Sequence, residues 1–196
     1  LLTHPFLVRI RRAVAEHPGL VLEGEARTAF LQETAGLDQV VRTVGLDEES
    51  LVWCAWALRK LGRFAEAHDV VDRALARGRT WKAVTAKASV FRAQGRADDA
   101  LALYEEATAL DPEDTSAMTE AAQTLGETGR VAEAAIWFGR AADRDPRRTD
   151  ARAWQEYALW QGDRDPARLE RVRSIADREP DNAAAKYLLA WMEGGG

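Results

Sequence analysis

No apolar run in this sequence approaches the ~20 residues that a membrane-spanning helix requires, so the chain is expected to be soluble. Cysteine is nearly missing. The single Cys54 cannot close an internal disulfide, which sets aside the small disulfide-framed folds and makes a reducing, cytoplasmic setting the expectation. Histidine is scarce too, and His4, His17 and His68 do not combine with one thiol at any familiar metal-binding spacing. Positive charge is in deficit: 27 Lys and Arg against 32 Asp and Glu leave a net charge of −5. That balance argues against general affinity for nucleic acid, because phosphate neutralisation needs a clustered basic surface that outweighs the acidic one. No signal or transit peptide is recognisable, and the opening Leu1-Leu2 is that expected of a sequence whose natural start has been cut away.

Hydrophobic residues are ample, at 46% of 196, and enough for a continuous core. They recur with a long period. Sliding the chain by 34 residues lays Gly95-Arg96 on Gly129-Arg130, Ala88 on Ala122, Ala100 on Ala134, Tyr104 on Phe138, Ala107 on Ala141 and Asp111-Pro112 on Asp145-Pro146. A shift of 33 the other way brings in Gly62-Arg63-Phe64, Ala67, Val71 and Ala74. The copies are 48–80, 81–114 and 115–148. A degenerate fourth at 149–182 has Trp154 and Ala158 on its first helix, Gly162 at its turn, Asp165-Pro166 opening its second helix, Leu169, Val172 and Ile175 inside, and Pro180 closing it.

Each copy reads as two helices. Leu51, Cys54, Ala55 and Leu58, or Val84, Ala88 and Phe91, form one apolar stripe at helical spacing on the first. Gly62, Gly95 and Gly129 then end it, at a point where the chain must turn through a left-handed residue. The second helix starts within three residues and buries Phe64, Ala67, Val71 and Ala74; Ala97, Ala100, Tyr104 and Ala107; or Val131, Ala134, Phe138 and Ala141. Pro112 and Pro146 stop it by removing an N–H and fixing φ.

These residues make the chain resemble the tetratricopeptide repeat family, whose signature is a small residue, a turn glycine, Ala, an aromatic, Ala and Pro across 34 positions. Residues 81–148 match best; the copy at 48–80 has Arg79 or Thr80 where proline is usual, and Lys87 stands where leucine is usual. The resemblance implies an all-α fold, a right-handed α-solenoid of helix-turn-helix repeats with capping helices at both ends. Residues 183–193 read as the C-terminal cap, with Tyr187, Leu188, Ala190 and Trp191 covering the last repeat and Lys186 and Glu193 in water, before a tail ending at 196. Residues 1–47 fit no repeat frame and read as an N-terminal cap, a degenerate repeat or the tail of a preceding domain. Within them 5–16 carries Phe6, Leu7, Ile10 and Val14 at helical spacing before Pro18-Gly19, and 25–35 and 38–44 look like two short helices.

In this family the first helices line a concave wall. Turning about a third of a turn from the core stripe projects Glu49, Val52, Trp56 and Arg59 onto it from the first copy and Lys82, Thr85, Ser89 and Arg92 from the second. Thr119, Gln123 and Glu127, then Arg152, Glu156 and Trp160, follow from the next two. Arg59, Lys82, Arg92 and Arg152 make the trough locally basic, which favours an acidic peptide or a C-terminal carboxylate. Trp56 and Trp160 are candidate anchors for a partner side chain, set against the commoner fate of burial. The Lys and Asn arrangement by which chaperone-binding members grip a carboxylate is not supplied by Val52, Trp56 and Ser89.

Catalysis finds little support. Cys54 lies on the core stripe and His68 on an outer face, which is unlike a nucleophile and its base. His4 and His17 read as surface histidines. The acidic pairs Glu48-Glu49, Asp98-Asp99 and Glu105-Glu106 are adjacent in sequence, so they point to different sides of a helix. No glycine belongs to a phosphate loop. The expectation is a non-enzymatic protein-interaction scaffold without cofactor. Its rivals are the docking part of a larger enzyme or transcription factor, and a homodimer paired through the C-terminal helix.

Overall fold

The computed structural model describes residues 5–17, 19–42 and 45–194. His4, Pro18, the last two residues of the helix expected at 38–44, and the end of the glycine tail lie outside the described residues. The fold is all-helical, and by its internal contacts the chain divides into two units, Leu1–Leu110 and Asp111–Gly196.

The first unit holds α1 (Pro5–Glu16), α2 (Gly24–Glu33), α3 (Leu37–Val41), α4 (Glu48–Lys60), α5 (Phe64–Arg77), α6 (Trp81–Ala93) and α7 (Ala97–Leu110). Helices α4/α5 and α6/α7 form antiparallel pairs, α4 lies beside α6, and α1 packs on α4. The alanines of the paired stripes are buried here, Ala55 with Ala67 and Ala74 and Ala88 with Ala100 and Ala107, except Ala97 in the first turn of α7, which is half-buried. Tyr104 is fully buried, as the largest side chain in its helix's inner face. Helix α4 is capped by Asp47, whose carboxylate accepts the Ser50 N–H at 2.8 Å, a bond that holds the acid below the usual carboxylate range. Where proline is expected the chain has Arg79 or Thr80, and Thr80 serves another purpose. Its hydroxyl oxygen accepts the Ala83 N–H at 3.2 Å, which caps α6, and donates to Glu48 at 2.7 Å.

The second unit holds α8 (Ser116–Glu127), α9 (Val131–Arg144), α10 (Thr149–Asp163), α11 (Pro166–Arg178) and α12 (Ala183–Glu193). Helices α8/α9 and α10/α11 pair, α10 also packs on α9, and α12 covers both α10 and α11. The covering face of α12 is Ala185, Leu188 and Met192, while Tyr187 and Trp191 remain 60% and 48% exposed. Tyr187, Ala190 and Trp191 are expected on the covering face but are exposed: each helical residue turns by about 100°, so the stripe through Leu188 runs to 185 and 192 and leaves 187, 190 and 191 outside.

Three turns share one geometry. Gly62, Gly95 and Gly129 have φ of 72°, 75° and 77°. The following N–H reaches back to a carbonyl five residues earlier, Arg63 to Leu58, Arg96 to Phe91 and Arg130 to Leu125, which closes the helix end. The fourth turn differs from expectation: α10 runs through Gly162, and the left-handed residue is Arg164, at φ 53°. Its guanidinium stacks 4.0 Å from the centre of the Trp160 ring, an attraction that offsets part of the steric cost of a side chain in this conformation.

Two glycines three residues apart should respond oppositely to the same change. A Cβ added at Gly129 or at Gly126 meets nothing within 4 Å, so only the backbone decides. Gly129→Ala should cost about 1–2 kcal/mol by forcing a left-handed alanine, and Gly126→Ala, inside α8, should gain about 0.5–1 kcal/mol. Urea denaturation of both variants checks the signs.

Candidate functional site

The first-helix face of the first unit is narrower than the sequence projection. Val52 is buried, because α6 packs beside α4 and the shared core takes in Val52, Ala83, Ala86 and Val90. Thr85 and Ser89 are buried too; the Ser89 hydroxyl donates to the Ala86 carbonyl at 2.8 Å, while the Thr85 hydroxyl has no protein partner. Arg59 is only 8% exposed, which corrects its expected place on a solvated wall. Its Nη1 donates to the Leu20 carbonyl at 2.7 Å. The neighbouring Lys60 ammonium donates to the His17 and Gly19 carbonyls at 2.5 and 2.7 Å, and the Leu22 N–H returns a bond to the Lys60 carbonyl at 2.8 Å. Thus the segment after α1 is clamped to the end of α4 by two cations, at the helix terminus where positive charge is favoured. The projected residues of this unit that keep solvent access are Glu49, Trp56, Lys82 and Arg92, all half-buried. Trp56 meets Trp53 edge to face at 4.7 Å, and Glu49 faces Arg11 at 3.7 Å.

In the second unit Thr119 is buried, with its hydroxyl on the Thr115 carbonyl at 2.8 Å, and Gln123 is half-buried. Glu127 is exposed; of the other three projected residues, Glu156 and Trp160 face α11 instead of an open wall and Arg152 is tied to α9. Trp160 is buried in a cluster with Val172, Ile175 and Leu188, so it is a core residue and no anchor. Glu156 is 8% exposed and accepts from Arg168 at 3.2 Å and Arg171 at 2.9 Å. Arg152 donates to Asp143 and Gln155, each at 2.7 Å. The cause is register. Thirty-four residues after Thr119 and Gln123 come Ala153 and Tyr157, and the projection ran one residue early, about 100° round the helix.

That shift reveals a substitution unlike anything in the other copies. Glu156 stands thirty-four residues after Ala122, and Arg168 thirty-four after Ala134. Where the third copy buries two alanines, the fourth holds an ion pair, and Arg168 also reaches Asp163 at 2.7 Å. Beside the pair lies a cleft of about 270 Å³ lined by Arg148, Arg152, Arg171, Arg178, Glu156 and Ile175, among others. Sequence reasoning singled out Arg152 and Glu156 but missed Arg148, Arg171 and Arg178, although the repeat frame itself marks Glu156 and Arg168 as charged where alanine belongs.

The other chemical candidates resolve as packing. Cys54 is fully buried, and loss of water pushes its thiol up to about 12. His68 shares a 2.9 Å bond with Gln94 and leans on Phe91. His17 bonds Glu33 at 2.9 Å and meets Phe30 edge-on, which makes it part of the N-terminal packing instead of a bare surface residue. Among the described residues no group of three or more His, Cys, Asp or Glu could hold a metal ion, and no helix is long and apolar enough to cross a membrane.

Consecutive helix pairs with buried alanines and left-handed turn glycines define an α-helical repeat protein. The model of the tetratricopeptide repeat matches residues 54–114 and again 85–149, and the chain belongs to that family. Among solved structures it is similar to TTC0263, a thermophilic TPR protein in Thermus thermophilus, with 14% identity, 95% of this chain and 98% of that chain covered, and a TM-score of 0.70. MamA from Desulfovibrio magneticus RS-1, residues 41 to the end, is 18% identical over 92% of this chain and 98% of that one, with a TM-score of 0.60. YrrB, described as a TPR protein with an unusual peptide-binding site, is 17% identical over 94% and 97%, with a TM-score of 0.58. At these identities the likeness shows the fold. No curated protein matches the chain.

The ion pair in the fourth hairpin can be tested by reversion. Glu156→Ala should destabilise by about 1–3 kcal/mol, because it strips Arg168 and Arg171 of their buried acceptor. Glu156→Ala with Arg168→Ala restores the small-residue pair of the third copy and should return to within about 1 kcal/mol of the parent. A double-mutant cycle by chemical denaturation measures both.

Proposed function

We propose that this chain is a non-enzymatic scaffold, without cofactor, that holds a segment of another protein against the first-helix face of its repeats. Tetratricopeptide repeat proteins generally mediate protein–protein contacts, and YrrB is described as having a peptide-binding site. The observation that carries the reading is the side-by-side packing of α4 and α6, which leaves Trp56, Lys82 and Arg92 half-buried on rigid helices of one unit. An amphipathic ring and two cations on fixed backbone suit an acidic or C-terminal peptide: the ring supplies contact area, and the cations supply charge-assisted hydrogen bonds. Arg59 has no part in this surface, since it holds the Leu20 carbonyl.

Lys82→Glu with Arg92→Glu should reduce capture of a partner from an extract of the source cell to about a tenth of the parent's, with the melting temperature unchanged. Equal capture by parent and variant removes the first-helix face from the reading.

A second reading has one observation in its favour. Tyr187 and Trp191, one helical turn apart on α12, are both exposed, and a matching pair on a second copy would cover them. Light scattering at micromolar concentration should then give a dimer mass that Trp191→Glu reduces to the monomer's; a monomer mass for the parent rejects self-pairing.

A further inference from the structure

The arginine-lined cleft of the second unit belongs to no part of the reading above. It lies between α9, the start of α10 and α11, and its lining carries four guanidinium groups against one carboxylate, Glu156, in a chain of net charge −5. Three of the guanidinium groups are already oriented. Arg148 makes two 2.9 Å bonds to Asp150, whose carboxyl it holds below the usual range, Arg152 is fixed by Asp143 and Gln155, and Arg171 by Glu156. Arg178 differs. Its Nε donates to the Ser174 carbonyl at 3.0 Å, and it makes no ion pair among the described residues.

Stability does not explain this arrangement. Arg152 and Glu156 stand thirty-four residues after the buried Met118 and Ala122. Apolar side chains at such positions pack at least as well as an ion pair, which must first lose its water. Departures from a repeat's own packing rule that bring no packing gain mark functional positions. The volume falls below the roughly 300–1,000 Å³ of small-molecule pockets, but it admits one or two side chains of an extended segment. No aromatic ring lines it for base stacking.

We propose that this cleft binds an acidic segment of a partner protein, whose Asp or Glu carboxylates meet the Arg178 fork, with Arg152 and Arg171 held beside it. The proposal rests on the scaffold reading for the class of ligand, but it uses a surface other than the Trp56, Lys82 and Arg92 strip. The test is fluorescence anisotropy of the full chain with a short labelled peptide of alternating glutamate and alanine. Binding should weaken as salt rises. Arg178→Glu should weaken it at least about tenfold, Arg178→Gln should weaken it less, and Lys82→Glu with Arg92→Glu should leave it unchanged. Arg178 is exposed in the last turn of α11, so helicity by circular dichroism should be kept; if Arg178→Glu loses it, Arg178→Gln carries the comparison. Absence of binding to the parent up to millimolar peptide overturns the proposal. So does parent-like affinity in a folded Arg178 variant, or tighter binding of a labelled single-stranded oligonucleotide than of the peptide. Loss of binding in the Lys82/Arg92 variant alone overturns the cleft while sparing the scaffold.

Discussion

Two helices can lie close together only where neither carries a large side chain at the crossing, and the buried alanines of the first three hairpins meet that condition. Ala55 with Ala67, Ala88 with Ala100 and Ala122 with Ala134 are all buried on their paired helices. Close backbone approach lets a larger group beside it, Val71, Tyr104 or Phe138, fill the remaining space at interior density. The turn then has to reverse the chain within three residues, which is why a left-handed glycine follows α4, α6 and α8. Small crossing residues, a filler and a reversing turn together make a unit that can be repeated, because each leaves an apolar edge for the next to cover.

The elements legible in the sequence are those governed by this local rule. The glycine turns, the alanine stripes, the Asp165-Pro166 start of α11 and the helix Pro5–Glu16 all follow from residues within one or two turns of each other. Less legible are the features set by a neighbour distant in sequence. Val52 projects away from its own partner helix, but the adjacent first helix, α6, covers it. The clamp of Arg59 and Lys60 on His17, Gly19 and Leu20 recognises backbone carbonyls, which every residue possesses, so no side-chain pattern announces it. In α10 and α12 the residues were right and the face was wrong, because an error of one position turns a helix by more than a quarter circle.

The fourth hairpin shows what happens when the crossing condition is relaxed. With Glu156 and Arg168 at the crossing, α10 and α11 pack less extensively than the pairs before them. The lost apolar contact is supplied from outside the hairpin: Trp160 turns inward onto Val172 and Ile175, and α12 adds Leu188 and Met192 to the same cluster. Helix α12 is therefore more than a lid for an apolar edge. It completes a core that the hairpin, with an ion pair at its centre, does not fill alone, and this frees the side of α10 and α11 turned away from it to carry arginines. A polar seam and an apolar cap are coupled: the cap makes the seam tolerable, and the seam opens the cleft. By the same reasoning the hairpins α4/α5 and α6/α7, closed on Ala55 with Ala67 and Ala88 with Ala100, need no outside helix to complete their crossings.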